Sequence, residues 1–166
     1  MQFNVIHEYR HPADEVFVAL TDFETVKSKY EAMGQSDVRL VRRDQGDDGS
    51  VTMVTTRVVP LDLPGFAKKV LSPKQHVTQT DVWSGADSKG RRSGTFAVEA
   101  KGAPVRLHGT LVLVRRGAKG CTNTTEVTVE CRVPLIGGKI ADLVSNDTRR
   151  ALEHEQTWMI EHLGSS

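Results

Sequence analysis

An excess of charge of either sign is missing from this sequence. Lysine and arginine number 22 against 21 aspartates and glutamates, a formal net charge of +1. No global field draws in a phosphate backbone or an anionic surface, so nucleic acid is not an expected partner. Long hydrophobic runs are missing too. The longest uninterrupted apolar stretch is the five residues Val16 to Leu20, against the roughly 18 or more of a membrane span. The N-terminus lacks a basic stretch followed by an apolar one. A soluble, cytoplasmic protein without stable membrane insertion is therefore expected. Cysteine is scarce: Cys121 and Cys131 stand ten apart without CxxC spacing, which predicts two free thiols rather than a zinc site or a redox motif. Aromatic residues make up only 5 % of the chain, leaving few large side chains to fill an interior.

What is present suffices for one core. A length of 166 residues with 38 % hydrophobic content predicts a single domain over 1–166. Phe3, Val5, His7 and Tyr9 alternate as a first strand, with His7 expected as a hydrogen-bonded core residue. Pro12, followed by Asp14 and Glu15, opens a short helix to about Leu20. Thr21-Asp22 recaps the chain for a second helix, in which Phe23, Val26, Lys27 and Tyr30 recur until Gly34. Six β-branched runs follow, roughly Val38 to Asp44, Val51 to Val59, His76 to Trp83, Gly94 to Ala100, Val105 to Arg115 and Thr124 to Val133. Turn chemistry separates most of them and predicts an antiparallel meander. Beyond Pro134 a helix of about 25 residues runs to Leu163. Its stripe of Ile140, Leu143, Val144, Asp147, Ala151, Glu155, Trp158, Met159 and His162 is apolar at both ends and polar in the middle. Gly164-Ser165-Ser166 reads as a frayed end.

Strand, two short helices, six strands and a long last helix is the order of the α+β helix-grip fold, a seven-stranded curved antiparallel sheet wrapped around its C-terminal helix. Three stretches carry a resemblance to the START-like superfamily of lipid-transfer, plant allergen, polyketide cyclase and aromatase domains. They are His11-Pro12-Ala13-Asp14-Glu15-Val16-Phe17 with Thr21-Asp22, then Leu63-Pro64-Gly65-Phe66, and Val133-Pro134-Leu135-Ile136-Gly137-Gly138-Lys139-Ile140. Within that superfamily the chain most resembles a group of bacterial domains of unknown function. The resemblance implies a cavity between sheet and helix holding a hydrophobic small molecule or lipid. It leaves open a cyclase, dehydratase or aromatase-like enzyme acting on a polyketide-type substrate, and a protein-interaction module remains a third alternative.

Candidate ligand-binding residues follow from the inward strand positions and the last helix: Phe96, Val98, Leu107, Leu111, Val129, Asp147, Thr148 and Ala151. The same apolar residues could instead pack on the helix as a closed core. Asp147 is turned toward the sheet, where an unpaired carboxylate is costly. It either pairs with an arginine such as Arg57, meets water and ligand, or sits in solvent beside Arg150. Leu63, Phe66, Val70 and Leu71, in the apolar segment between the third and fourth strands, are candidates for the cavity mouth, as a mobile lid or as a fixed cap. Of the six histidines, at 7, 11, 76, 108, 154 and 162, His154 and His162 on the last helix stand eight apart and with Glu155 show neither HxxxH nor ExxH spacing, and no metal or cofactor is expected. No GxSxG or phosphate-loop motif is present, and no catalytic residue is assigned.

Overall fold

The computed structural model describes residues 1–164. Ser165 and Ser166, the last two residues of the expected frayed end, lie outside them. The order is β1 (Gln2–Tyr9), α1 (Ala13–Thr21), α2 (Phe23–Ala32), β2 (Ser36–Gln45), β3 (Val51–Pro60), β4 (Lys74–Trp83), β5 (Arg92–Ala100), β6 (Val105–Arg116), β7 (Gly120–Cys131) and α3 (Gly137–Leu163). All neighbours in the sheet are antiparallel, in the order β1-β7-β6-β5-β4-β3-β2. The α+β helix-grip architecture is the observed one.

Local chemistry sets the breaks. Asp22 ends α1 and caps α2, its carboxylate accepting from the Thr25 backbone N–H at 3.0 Å. Hydrogen bonds from Thr25 hold the Asp22 carboxyl below the usual carboxylate range. Strand β7 starts four residues before the expected Thr124 and ends at Cys131 rather than Val133. Cys121-Thr122-Asn123 shows no apolar alternation, yet Arg116 pairs with Gly120, so the ladder runs up to the tight turn whatever side chains it carries. In α2 the lysine turned inward is Lys29, which is buried, rather than Lys27.

Among the described residues three packed clusters hold the helices on the sheet. Tyr9, Phe17, Trp83, Leu113 and Met159 meet at one end of α3, with the Phe17 and Trp83 rings edge to face at 5.6 Å. Val127, Val129, Ile140 and Ala141 meet Leu63, Ala67 and Leu71 at the other. Val26, Tyr30, Val38 and Met53 fix α2 on β2 and β3. The segment 61–71 forms turns rather than a helix, tied by Leu61 N–H to Pro73 O at 2.8 Å and Leu71 N–H to Ala67 O at 2.8 Å. Its Leu63, Ala67, Val70 and Leu71 pack against β7 and α3.

Candidate functional site

Between these clusters the strands and the middle of α3 stand apart and line a cavity of about 470 Å³ that is open to one side. Alternation along each strand decides which side chains reach it. Strands β5 and β6 contribute Phe96, Val98, Ala100, Leu107 and Leu111; β4 contributes Gln75, Val77, Gln79, Asp81 and Trp83; β1 and β7 contribute His7, Tyr9, Asn123, Thr125 and Val127. Gly109 pairs with Phe96 across the ladder. A Cβ at Gly109 would fall 1.7 Å from Glu126 O and 2.9 Å from the Phe96 ring, so only glycine lets that ring lie across the wall.

The walls divide by chemistry. One side is apolar, and the other carries a connected polar group. Lys29 Nζ donates to Glu155 Oε2 at 3.1 Å in the cavity wall, joining α2 to α3. Arg57 donates from Nε to Gln35 Oε1 at 2.6 Å and from Nη1 to Gln79 Oε1 at 2.9 Å, with its guanidinium 3.9 Å from the Tyr30 ring centre. The Tyr30 hydroxyl also donates to Gln79 Oε1, at 3.3 Å, and Gln79 Nε2 passes the chain on to Asp81 Oδ1 at 3.0 Å.

Burial displaces the titrations of these groups. It pushes the Asp81 carboxyl up, against the opposing pull of Gln79, Lys29 and Arg57. Tyr9 and Tyr30 are raised by burial as well. Burial lowers His7 against the field of Glu155 and Glu153, so its imidazole is neutral at pH 7. For Lys29, burial works against the charge, but Glu155 and Tyr30 outweigh it and hold the ammonium form. Cys121 is a buried free thiol pushed up to about 11 by burial, which leaves it unreactive as a nucleophile.

Residues 4–163 match the family model described as "Protein of unknown function (DUF2505)". The chain belongs to this family. A DUF2505 assignment carries no activity with it. An uncharacterized protein of Mycobacterium tuberculosis is 32% identical over 115 residues, 68% of this chain, and one of Mycobacterium bovis matches equally. The match covers 66% of those relatives' length. Among solved structures, TTHA0849 from Thermus thermophilus superposes with TM-score 0.70 at 18% identity, covering 99% of this chain and 100% of its own. The Zhui aromatase/cyclase from a Streptomyces species gives 0.64 at 13%, over 98% and 92%. A START superfamily protein from Mycobacterium smegmatis gives 0.56 at 11%, over 98% of each chain. These likenesses establish the START-like fold of this DUF2505 protein. Among the described residues no helix is long and apolar enough to cross a membrane.

The structure brings Phe96, Val98, Leu107, Leu111, Asp147, Thr148 and Ala151 together on the cavity wall. Val129 is not there: it is buried in the closed cluster with Leu63 and Ala67, because β7 dips under the 61–71 cap at that end. Of the residues expected at the mouth only Leu71 reaches the cavity. Leu63 and Val70 pack into the closed cluster, and Phe66 is 41% exposed. Asp147 pairs with Arg150 on its own helix and not with Arg57. The Thr148 hydroxyl is spent on Val144 O at 2.7 Å. His7 is buried as expected but is not hydrogen-bonded as expected: its Nε2 has no partner among the described residues.

The residues missed are the polar ones: Lys29, Gln79, Asp81, Asn123 and the uses of Arg57 and Glu155. A signal existed for some. Val77 and Trp83 anchor the inward register of β4, and period two from either lands on Gln79 and Asp81. Arg57 shares its face with Met53 and Val51 by the same count. Nothing local marks Lys29 and Glu155, which are 126 residues apart in sequence.

Proposed function

We propose that this protein binds a hydrophobic small molecule or lipid between the sheet and α3. The observation that carries this reading is the cavity of about 470 Å³ between sheet and helix, within the roughly 300–1,000 Å³ of small-molecule sites. It has an apolar wall of Phe96, Val98, Leu107 and Leu111 facing a polar wall built on Lys29, Arg57 and Glu155. Burial of apolar ligand surface supplies the drive, at about 25 cal/mol per Å² before binding costs. The polar wall supplies orientation, since its groups are held by one another and need not reorganise. The resemblance to lipid-transfer domains of the START-like superfamily supports the reading by analogy of fold. The test is a native mass spectrum and a solvent extract of the purified protein, with displacement of an apolar fluorescent probe. A bound molecule at one per chain or a saturable displacement is expected; finding neither sinks the reading.

A second reading is favoured by one specific observation: Asp81 and His7 face the cavity with displaced titrations, as an acid or base acting on a bound substrate requires. It makes the protein a cyclase or dehydratase-like enzyme on a polyketide-type substrate, in keeping with the Streptomyces neighbour, which is named an aromatase/cyclase. Turnover of a poly-β-ketone analogue that is lost in Asp81→Asn would support it. Stoichiometric binding without turnover would reject it.

A further inference from the structure

His7 and Asn123 are register partners on β1 and β7. Their side chains therefore leave the same face of the sheet, with Cβ atoms about 5 Å apart. Both line the cavity, and each residue is only 6% exposed. Each buries a polar atom, Nε2 of His7 and Oδ1 of Asn123, that has no hydrogen-bond partner among the described residues. A buried polar atom left unpaired is costly, and native structures rarely keep two side by side without use for them. Ser145 Oγ is the third such atom, and Ser145 is not part of the cavity wall.

Ion pairs answer four of the charges lining the cavity, while Arg57 and Asp81 hydrogen-bond only the neutral amides of Gln35 and Gln79. Lys29 holds Glu155, Arg150 holds Asp147, and Gln79 joins Arg57 to Asp81 by accepting from one and donating to the other. Asp62, the remaining carboxylate of the lining, is exposed. His7 and Asn123 themselves carry no charge to answer a charged head seated between them, so a neutral head fits there without a buried, unpaired charge. We propose that the cavity takes an uncharged apolar molecule bearing a hydroxyl group, a phenol or an alcohol, seated between His7 and Asn123. This rests on the binding function above and names the class of its ligand.

A hydroxyl is both donor and acceptor. It donates to Asn123 Oδ1 while accepting from His7 Nε2–H. If the proton sits on Nδ1 instead, it still donates to either atom. A ketone or a carboxylate only accepts and leaves Oδ1 of Asn123 unanswered.

Three probes of nearly equal shape test this at pH 7 by calorimetric titration of the full chain: 2-naphthol, 2-methylnaphthalene and 2-naphthoate. Two added hydrogen bonds predict that the naphthol binds about tenfold more tightly than the methyl compound, with the naphthoate weakest. In a His7→Phe, Asn123→Leu double variant the ratio of naphthol to methylnaphthalene affinity falls to about one. Should that variant fail to fold, the wild-type ratio decides alone. Equal affinities for the first two probes, the result if water serves the pair equally well, or tightest binding of the naphthoate, overturn the inference and leave the binding function standing. Failure of all three probes to bind overturns both.

Discussion

The N-terminal turn of α3 and its middle meet the same sheet in opposite ways. At Ile140 and Ala141 the helix is clamped between β7 and the cap of Leu63, Ala67 and Leu71, with Ile140 at 0% exposure. Farther along, from Val144 to Glu155, the helix is held away and crosses the cavity, tied to α2 by Lys29 and Glu155. The difference lies in what faces the helix. The closed end has apolar atoms on both sides and an extra layer from the 61–71 segment, so interdigitation removes the space. The middle opposes Thr125, Asn123 and His7 together with Arg57, Gln79 and Asp81 of β3 and β4; these last three hold one another by hydrogen bonds and cannot collapse inward without leaving polar groups unpaired. Apolar packing closes the wrap, and polar bracing keeps it open.

The largest effect that sharpens this contrast is Ile140→Ala, expected to cost about 4 kcal/mol, because a filled site cannot relax around the lost atoms. Leu107→Ala on the cavity wall should cost about half as much, since that side chain already lacks neighbours on one side. Urea denaturation midpoints measure both, and equal losses would mean that the middle is packed shut in solution. Next is Lys29→Met. It strands Glu155, whose side chain is 23% exposed against 7% for Lys29, at a cost of about 3 kcal/mol. Adding Glu155→Leu should recover most of that loss, and a double variant no better than the single one would deny that the pair braces the opening.

A smaller effect concerns acid. His7 is held below its ordinary 6.5 in the folded chain, chiefly by burial and with Lys29 assisting, while Glu155 and Glu153 oppose. Below about 6.5 the unfolded chain binds this proton and the folded chain resists it. Its contribution to stability is therefore complete above 6.5 and is lost as pH falls toward the folded value. Thermal melts from pH 7 to pH 5 should fall more steeply for the wild type than for His7→Phe; parallel curves would place His7 in contact with water. The smallest effect is Phe66→Ser. An exposed cap residue outside the closed cluster should shift the denaturation midpoint by no more than about 0.5 kcal/mol. A larger loss would tie Phe66 to the cap after all.

The elements of this fold were legible because their signals are local. Period two in β3 and β4, the Asp22 cap and the long proline-free stretch of α3 each reside within a few consecutive residues. The apolar wall was legible for the same reason: Phe96, Val98, Leu107 and Leu111 alternate along two strands joined by a short turn. Val129 sits on the same face as its strand neighbours but opposite the cap, a placement that depends on where the 61–71 segment lands. Asp147 drew attention because it interrupts an apolar stripe, yet a neighbour one turn away on α3 answers it. Glu155, in the same stripe, finds a lysine on another helix.

By itself the sequence determined the order and type of the elements, the single layer of sheet against helix, and the poverty of aromatic side chains available to fill it. Alternation and capping act over a few residues, and composition acts everywhere. Which polar residues face one another across the interior was decided only by the tertiary structure. Lys29 with Glu155, Arg57 with Gln79, and His7 beside Asn123 are brought together by strand register and by the path of α3 over the sheet. The low aromatic content permits an open interior; the polar bracing, assembled from distant parts of the chain, is what holds it open.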